Sequence, residues 1–267
     1  MYPAEIARTL GLYQQSVYFC VRRLLKDGLI EIERSEVVKG AVARYYRPTS
    51  PAFGVELPSE EKNLPLPSQI DVGSKLERFF RGFIKDEIFD GVIVVGSPEP
   101  HGPFRATARD GHYAAQLAFL LGRLSRMPPD FFVRLDVDIR TEKKEGENLI
   151  LIGGPGTNLV TESVNAFLPI RFTEDNYWRG LVKGDTVLQS SERDGIIAKI
   201  RNPFREGKTI LVLAGNRHIG TKSCVIALTQ FHTQVLEGYE DQEEWAVLVR
   251  GYDLDGDGKI DSAEVLH

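Results

Sequence analysis

The sequence predicts an α/β protein in two parts: a small helical head closed by a β-hairpin, then a larger layered domain with a mostly parallel sheet. Three observations carry this. Two short amphipathic segments separated by Gly11 are followed by two alternating runs at residues 29–48. Prolines punctuate the next stretch, which has little periodicity. Beyond residue 74, continuous apolar runs alternate with helical patterns, which is how buried parallel strands with crossover helices read.

In the head, "PAEIARTL" (3–10) gives a helix with Pro3 in its first turn and Ile6, Ala7 and Leu10 on one face. A second helix runs from about Gln14 to Lys26, with Val17, Val21, Leu24 and Leu25 inward, and Asp27-Gly28 ends it. "LIEIERS" and "AVARYYRP" then alternate as strands. Helix, tight turn, helix and hairpin is the order of a winged helix-turn-helix, and it defines a domain over 1–50. The stretch "EIARTLGLYQQSVYFCVRRLLKDGLIE" resembles the winged-helix transcriptional regulators of prokaryotes. The resemblance implies that the second helix enters the major groove of duplex DNA and that the hairpin touches flanking backbone. Tyr13, Gln14, Gln15, Ser16 and Tyr18 would then begin the recognition helix. Arg22, Arg23 and Lys26, with Arg34, Lys39 and Arg44 of the wing, would lie near phosphates. The family usually has a further helix before this pair. Here it would come from another segment, another subunit or residues upstream of Met1.

Charge agrees in sign. Residues 1–50 hold eight Lys/Arg against five Asp/Glu, a net +3, inside a chain of net −5. A basic head on an acidic body suits a polyanionic partner. No apolar run approaches the ~18 residues that cross a membrane, and no basic-then-apolar leader opens the chain. The expected compartment is the cytoplasm, without membrane association. Cys20 and Cys224 lie far apart in helical patterns and read as small buried apolar residues, not as a disulfide.

A Pro-rich linker is expected over 51–73, and an α/β domain over 74–267. Ser74 and Glu77 form a capping box for a helix whose Leu76, Phe79, Phe80, Phe83 and Ile84 make an apolar stripe, either core or a dimerisation face. Strands are expected at 91–96, 131–139, 148–154, 195–200, 209–215 and 244–252, with helices at 111–124, 157–167 and 221–232. Three strand ends run into Gly-rich loops at 96–103, 153–158 and 214–221. In parallel sheets such loops gather anions, but neither GxGxxG nor a P-loop is matched. Pro155 removes an amide, and Thr221-Lys222 stands where Lys then Ser/Thr is required. The glycines of tight turns are the plainer reading.

"LILIGGPGTNLVTESVN", "ILVLAGNRHIGTKSCVIAL" and the terminal "VRGYDLDGDGKIDSAEVL" resemble segments of archaeal S-layer proteins and S-layer-like domains. This implies an archaeal source and a body used structurally. S-layer proteins are exported, whereas this chain shows no export signal.

Two clusters could carry chemistry. His101, Arg109, Asp110 and His112 fall within twelve residues, and Asp136 and Asp138 would share one strand face. No nucleophile elbow, HExxH or Cys/His pair accompanies them. An effector site is expected there, and no enzymatic activity. "DLDGDGKIDSAE" (253–264) fills the template of an EF-hand calcium loop. Asp253, Asp255 and Asp257 take positions 1, 3 and 5, and Gly258 the position-6 turn. Lys259 offers its carbonyl, Asp261 stands at position 9 and Glu264 at the bidentate position 12, with Ile260 as apolar anchor. Only a short turn or two can follow, so bound Ca²⁺ would staple the C-terminus, not switch it. The sum is a transcriptional regulator that binds double-stranded DNA, with a body for homodimerisation or effector binding. A scaffold whose head binds protein, and a nucleotide- or sugar-processing enzyme, are the alternatives.

Overall fold

The computed structural model describes residues 1–38, 41–52 and 75–266. The chain divides into two compact units, Met1–Leu66 and Pro67–His267. Apart from Pro51 and Ala52, the expected linker lies outside the described residues, as do Ser74 of the expected capping box and Lys39 of the wing.

In the first unit α1 (Pro3–Leu10) and α2 (Gln14–Lys26) are followed by an antiparallel hairpin of β1 (Ile30–Val38) and β2 (Ala41–Pro48). Gly11, at φ +65°, ends α1 in the left-handed region that costs glycine nothing. The core is small: Ala7, Val17 and Val21 are buried, with Ile6, Leu25, Ile30 and Tyr46 packed against them. Leu10 and Leu24, expected on inward faces, are exposed, and so is Cys20. Two short helices and one hairpin enclose too little volume to cover a second apolar row.

The second unit opens with α3 (Lys75–Phe80) and a 3₁₀ turn at Arg81–Phe83. Leu76, Phe79, Phe80 and Phe83 are wholly buried, so the apolar stripe is core and not a dimerisation face. A small hairpin, β3 (Ile84–Lys85) with β4 (Ile88–Phe89), leads to β5 (Val92–Val95). Next come α4 (Tyr113–Leu121), β6 (Val133–Leu135), α5 (Asp136–Thr141), β7 (Leu149–Ile152) and α6 (Leu159–Val164). A three-stranded antiparallel meander follows, made of β8 (Ile170–Thr173), β9 (Gly180–Lys183) and β10 (Thr186–Leu188). The chain closes with β11 (Asp194–Arg201), β12 (Thr209–Gly215), α7 (His218–Gln230), α8 (His232–Val235), β13 (Trp245–Tyr252) and β14 (Ser262–Leu266).

Seven strands form the central sheet in the order β14-β13-β11-β12-β7-β5-β6. The pairings β12–β7, β7–β5 and β5–β6 are parallel, and β12–β11, β11–β13 and β13–β14 are antiparallel. The sheet is thus mixed, where mostly parallel pairing was expected. Parallel neighbours need a crossover of about a dozen residues or more, and the segments 202–208 and 253–261 are too short to supply one. One sheet face packs Ile93, Ile150, Ile197 and Leu211 against α3, α4 and α7. The other packs Val94, Leu151, Ile196 and Val212 against α5, α6 and the meander. The expected strand 131–139 is broken after Leu135. Asp136 begins a helix, where it is fully buried while Asp138 is exposed, so the two carboxylates do not share a face.

Candidate functional site

Because β5, β7 and β12 are parallel neighbours, their carboxyl ends deliver three loops to one edge of the sheet. There they enclose a cavity of about 460 Å³. The loop after β5 contributes Arg109 and Asp110, the loop after β7 Gly154 to Thr157, and the loop after β12 Asn216 to His218. The turn between β8 and β9 adds Tyr177, Trp178 and Arg179. Tyr177 and Trp178 hold left-handed backbone, at φ +57° and +63°, which is strained for residues with large side chains.

Asp110 is 3% exposed. Burial pushes its carboxyl up to about 6, against the pull of its own backbone amide, the Thr221 hydroxyl and His112. Its Oδ1 has no hydrogen-bond partner among the described residues. Of the four residues expected to hold a ligand, the cavity takes Arg109 and Asp110 and leaves out the two histidines. His101 lies 3.0 Å through Nε2 from Oδ2 of buried Asp136 and 2.8 Å through Nδ1 from the Glu99 carbonyl. Asp136 also accepts from the amides of Ser97 and Leu159. His101 is thereby a loop anchor. His112 precedes α4, exposed, its ring against Tyr113. In the sequence Arg217 and His218 stand out only as part of a Gly-rich loop. Trp178 and Arg179 carry no such signal, because no periodicity announces the meander.

β13 runs in the same direction as β12, so the loop between β13 and β14, residues 253–261, leaves the same edge of the sheet. Carboxylate oxygens of Asp253, Asp255 and Asp261 lie within 4.8 Å of one another. Asp253 accepts from the amides of Gly256 and Gly258, and Gly258 takes φ +86°, as the sharp turn of position 6 requires. Ile260 is buried in the core. Two expected ligands stand apart. Asp257 pairs with the Lys259 ammonium at 3.0 Å. Glu264 lies on β14, opposite Arg250, where the Tyr252 hydroxyl donates to it. The reason is topological: the residues after the loop return as a strand, not as the expected helical turn. The gathered donors are all carboxylate oxygens, a set that fits Ca²⁺ and lacks the nitrogen or sulfur that Zn²⁺ favours.

On the head, Tyr13, Gln14, Gln15, Ser16, Tyr18, Arg22, Arg23 and Lys26 are all exposed, while Val17 and Val21 face inward. No acidic residue interrupts α2. On the hairpin Arg44 is exposed, whereas Arg34 is engaged by Glu36 at 3.3 Å and stacks over Tyr45.

Residues 127–232 match the family model described as the outer domain of the S-layer like family. The match runs from the approach to β6 through α7 and includes most of the cavity's walls. No curated protein matches the chain. No helix among the described residues is long and apolar enough to cross a membrane.

The Asp110 carboxyl makes the cavity a destabilised element at neutral pH. Above about pH 6 the folded state holds a buried charge. As pH falls from there towards the ordinary 3.8, the folded state takes up its proton before the unfolded one does, and that penalty is relieved. Asp110→Asn is therefore expected to raise thermal stability at neutral pH, by on the order of 2 kcal/mol. The advantage should fade on acidification through that window. A variant that melts lower than wild type at every pH would contradict the assignment.

Proposed function

We propose that the chain is a DNA-binding protein of the transcriptional-regulator class, with a winged helix-turn-helix head preceding an S-layer-like body. The observation that carries this reading is the outer face of α2, where Gln14, Gln15, Tyr18, Arg22 and Lys26 stand exposed without a single acid. Glutamine can make paired hydrogen bonds to adenine, and Ser16 can meet several bases. Arg22, Arg23, Lys26 and Arg44 supply phosphate contacts, which set affinity more than sequence choice. Arg23 and Arg34 contribute less, Arg23 being paired with Asp27 at 3.9 Å and Arg34 shared with Glu36 and Tyr45. The functional unit is a homodimer in the cytoplasm of an archaeal cell. The body serves assembly or effector binding, without catalysis.

In the same reading Ca²⁺ is a structural ion of the loop between β13 and β14. Asp253, Asp255 and Asp261 hold it, with the Lys259 carbonyl. Asp257 joins when Lys259 releases it. Glu264 stays with Tyr252.

The second reading is a scaffold in which the head binds protein. The S-layer-like match favours it, because that likeness speaks of a structural body. Fluorescence anisotropy on duplex DNA separates the two. With about four phosphate contacts per head, affinity is expected to fall between about 50 and 200 mM salt on the order of 100-fold for a single head and on the order of 10,000-fold for the homodimer. Arg22→Ala should weaken all sequences alike. Gln14→Ala with Gln15→Ala should flatten discrimination between sequences, by ~1–3 kcal/mol per lost base contact. Equal affinity at both salt concentrations would sink the DNA reading. A stable oligomer that shifts no duplex would favour the scaffold. For the ion, a chelator is expected to lower the melting temperature of the body, and Asp255→Asn should mimic it. A chelator that alters DNA affinity at constant stability would overturn the staple.

A further inference from the structure

We propose that the cavity at the carboxyl ends of β5, β7 and β12 is a binding site for a nucleoside monophosphate. The proposal concerns the body alone and stands whether or not the head binds DNA.

The first ground is charge. Arg109, Arg179 and Arg217 all line the cavity, and Asp110 is the one acid among the described residues that does. Arg217 is shared with Glu192 at 2.7 Å, but Arg109 and Arg179 have no carboxylate partner among the described residues. Unpaired guanidinium groups converging on one hollow, in a chain of net −5, describe a receptor for an anion. Helix α7 starts at the same hollow, with His218 and Thr221 in its wall. Its N-cap is Arg217, which supplies no capping side chain, so the first-turn amides of this 13-residue helix await an acceptor. By contrast, Asn158 caps α6 by accepting from the amides of Val160 and Thr161.

The second ground is independent of charge. Six buried side-chain polar atoms lack a partner among the described residues, and three of them, on Asp110, Trp178 and Asn216, belong to residues of this cavity wall. Asp110 is 3% and Trp178 8% exposed, so neither finds water easily. An orphaned buried donor or acceptor costs about 1–3 kcal/mol. Concentrating half of them around one hollow is explained by a ligand that satisfies them. The Trp178 ring edge faces Gly156, another wall residue, with Cδ1 3.7 Å from where a side chain there would begin.

The third ground specifies the ligand beyond its phosphate. Phe104 and Tyr177 meet edge to face at 5.5 Å on one flank of the cavity, Phe104 47% and Tyr177 66% exposed. Exposed aromatic faces beside an arginine cluster suit a flat heterocycle, which gains by stacking. The volume lies within the range of about 300–1,000 Å³ typical of small-molecule sites. A monophosphate fits better than a triphosphate. Pro155 removes one amide from the cradle, and Lys222 lies within electrostatic reach of Asp257 in the ion loop instead of serving a phosphate chain. His218 completes the picture. Burial, then Arg109, Arg217 and His112, hold its imidazole below the usual histidine range, leaving a neutral ring that can donate to a phosphate oxygen.

The test is isothermal titration of the full chain with AMP, GMP, CMP and UMP, each beside its parent nucleoside and inorganic phosphate. At least one monophosphate is expected to bind with Kd below about 100 µM, and its nucleoside and phosphate alone at least about tenfold more weakly. Arg109→Gln and Arg179→Gln, both at exposed side chains, should each weaken that nucleotide about tenfold with the melting temperature unchanged. Tyr177→Ala should weaken the nucleotide but not phosphate. The proposal is overturned if none of the four binds at 1 mM, if phosphate binds as tightly as the nucleotide, or if both arginine variants bind as wild type does.

Discussion

The body is organised by one close approach, that of α7 to the sheet. A side chain on Gly220 would meet the Asp194 carbonyl oxygen at 2.2 Å, and one on Gly251 would meet the Ser223 hydroxyl at 2.1 Å. Helix and strands therefore touch backbone to backbone, and residues larger than glycine would have to push them apart. Ser223 and Cys224 are correspondingly small and fully buried. Burial pushes the Cys224 thiol up beyond any reactive range, which suits a packing role. This seating fixes both candidate sites. The start of α7 is brought to the carboxyl edge of the parallel strands, where the cavity lies. The flank of the same helix supports β13 and Ile260 of the loop between β13 and β14.

Polar groups buried near that contact hold it in register. Asp194 is fully buried at the start of β11 and takes both Nε and a terminal nitrogen of Arg250, at 2.7 Å each, across to β13. It also accepts from the Ser191 amide and hydroxyl. Burial alone would push its carboxyl up, but Arg250 and Ser191 hold it below the usual aspartate range. Removing Arg250 would strand a buried charge, at a cost of about 3–5 kcal/mol. The Asp194 carbonyl accepts from Asn216, so one residue ties β11, β13 and the cavity loop together. Lys199, inside the aromatic cluster, donates to the Phe79 carbonyl and the Tyr239 hydroxyl, and burial pulls its ammonium down to about 8. Both ends of β11 are thus anchored by charged groups that have partners.

The legible part of the fold was the part with strong periodicity. "GVIVVG", "NLILIGG" and "TILVLAG" read as buried strands because both faces of the central sheet are covered, and they are. Strand direction was less legible, since apolar runs do not distinguish a parallel neighbour from a hairpin partner. The meander β8–β10 was silent because its strands are short and only partly buried. Asp136 was misread because "VRLDVDI" alternates like a strand, while a buried carboxylate serving two amides and His101 outweighs that pattern. In the loop between β13 and β14 the gathering of Asp253, Asp255 and Asp261 was visible from spacing. The strand position of Glu264 was not, since it depends on whether helix or strand follows. In the cavity, Arg109 and Asp110 stood out as a cluster in sequence, but their partners arrive from three other loops.

The central claim is that the exposed face of α2 reads duplex DNA. Its most direct test is sequencing the genomic fragments that the purified full chain retains from a sheared library. The account predicts a recurrent short motif among them, lost when Gln14 and Gln15 are both replaced by alanine. Retained fragments without any shared motif, or the same motif retained by that double variant, would contradict it.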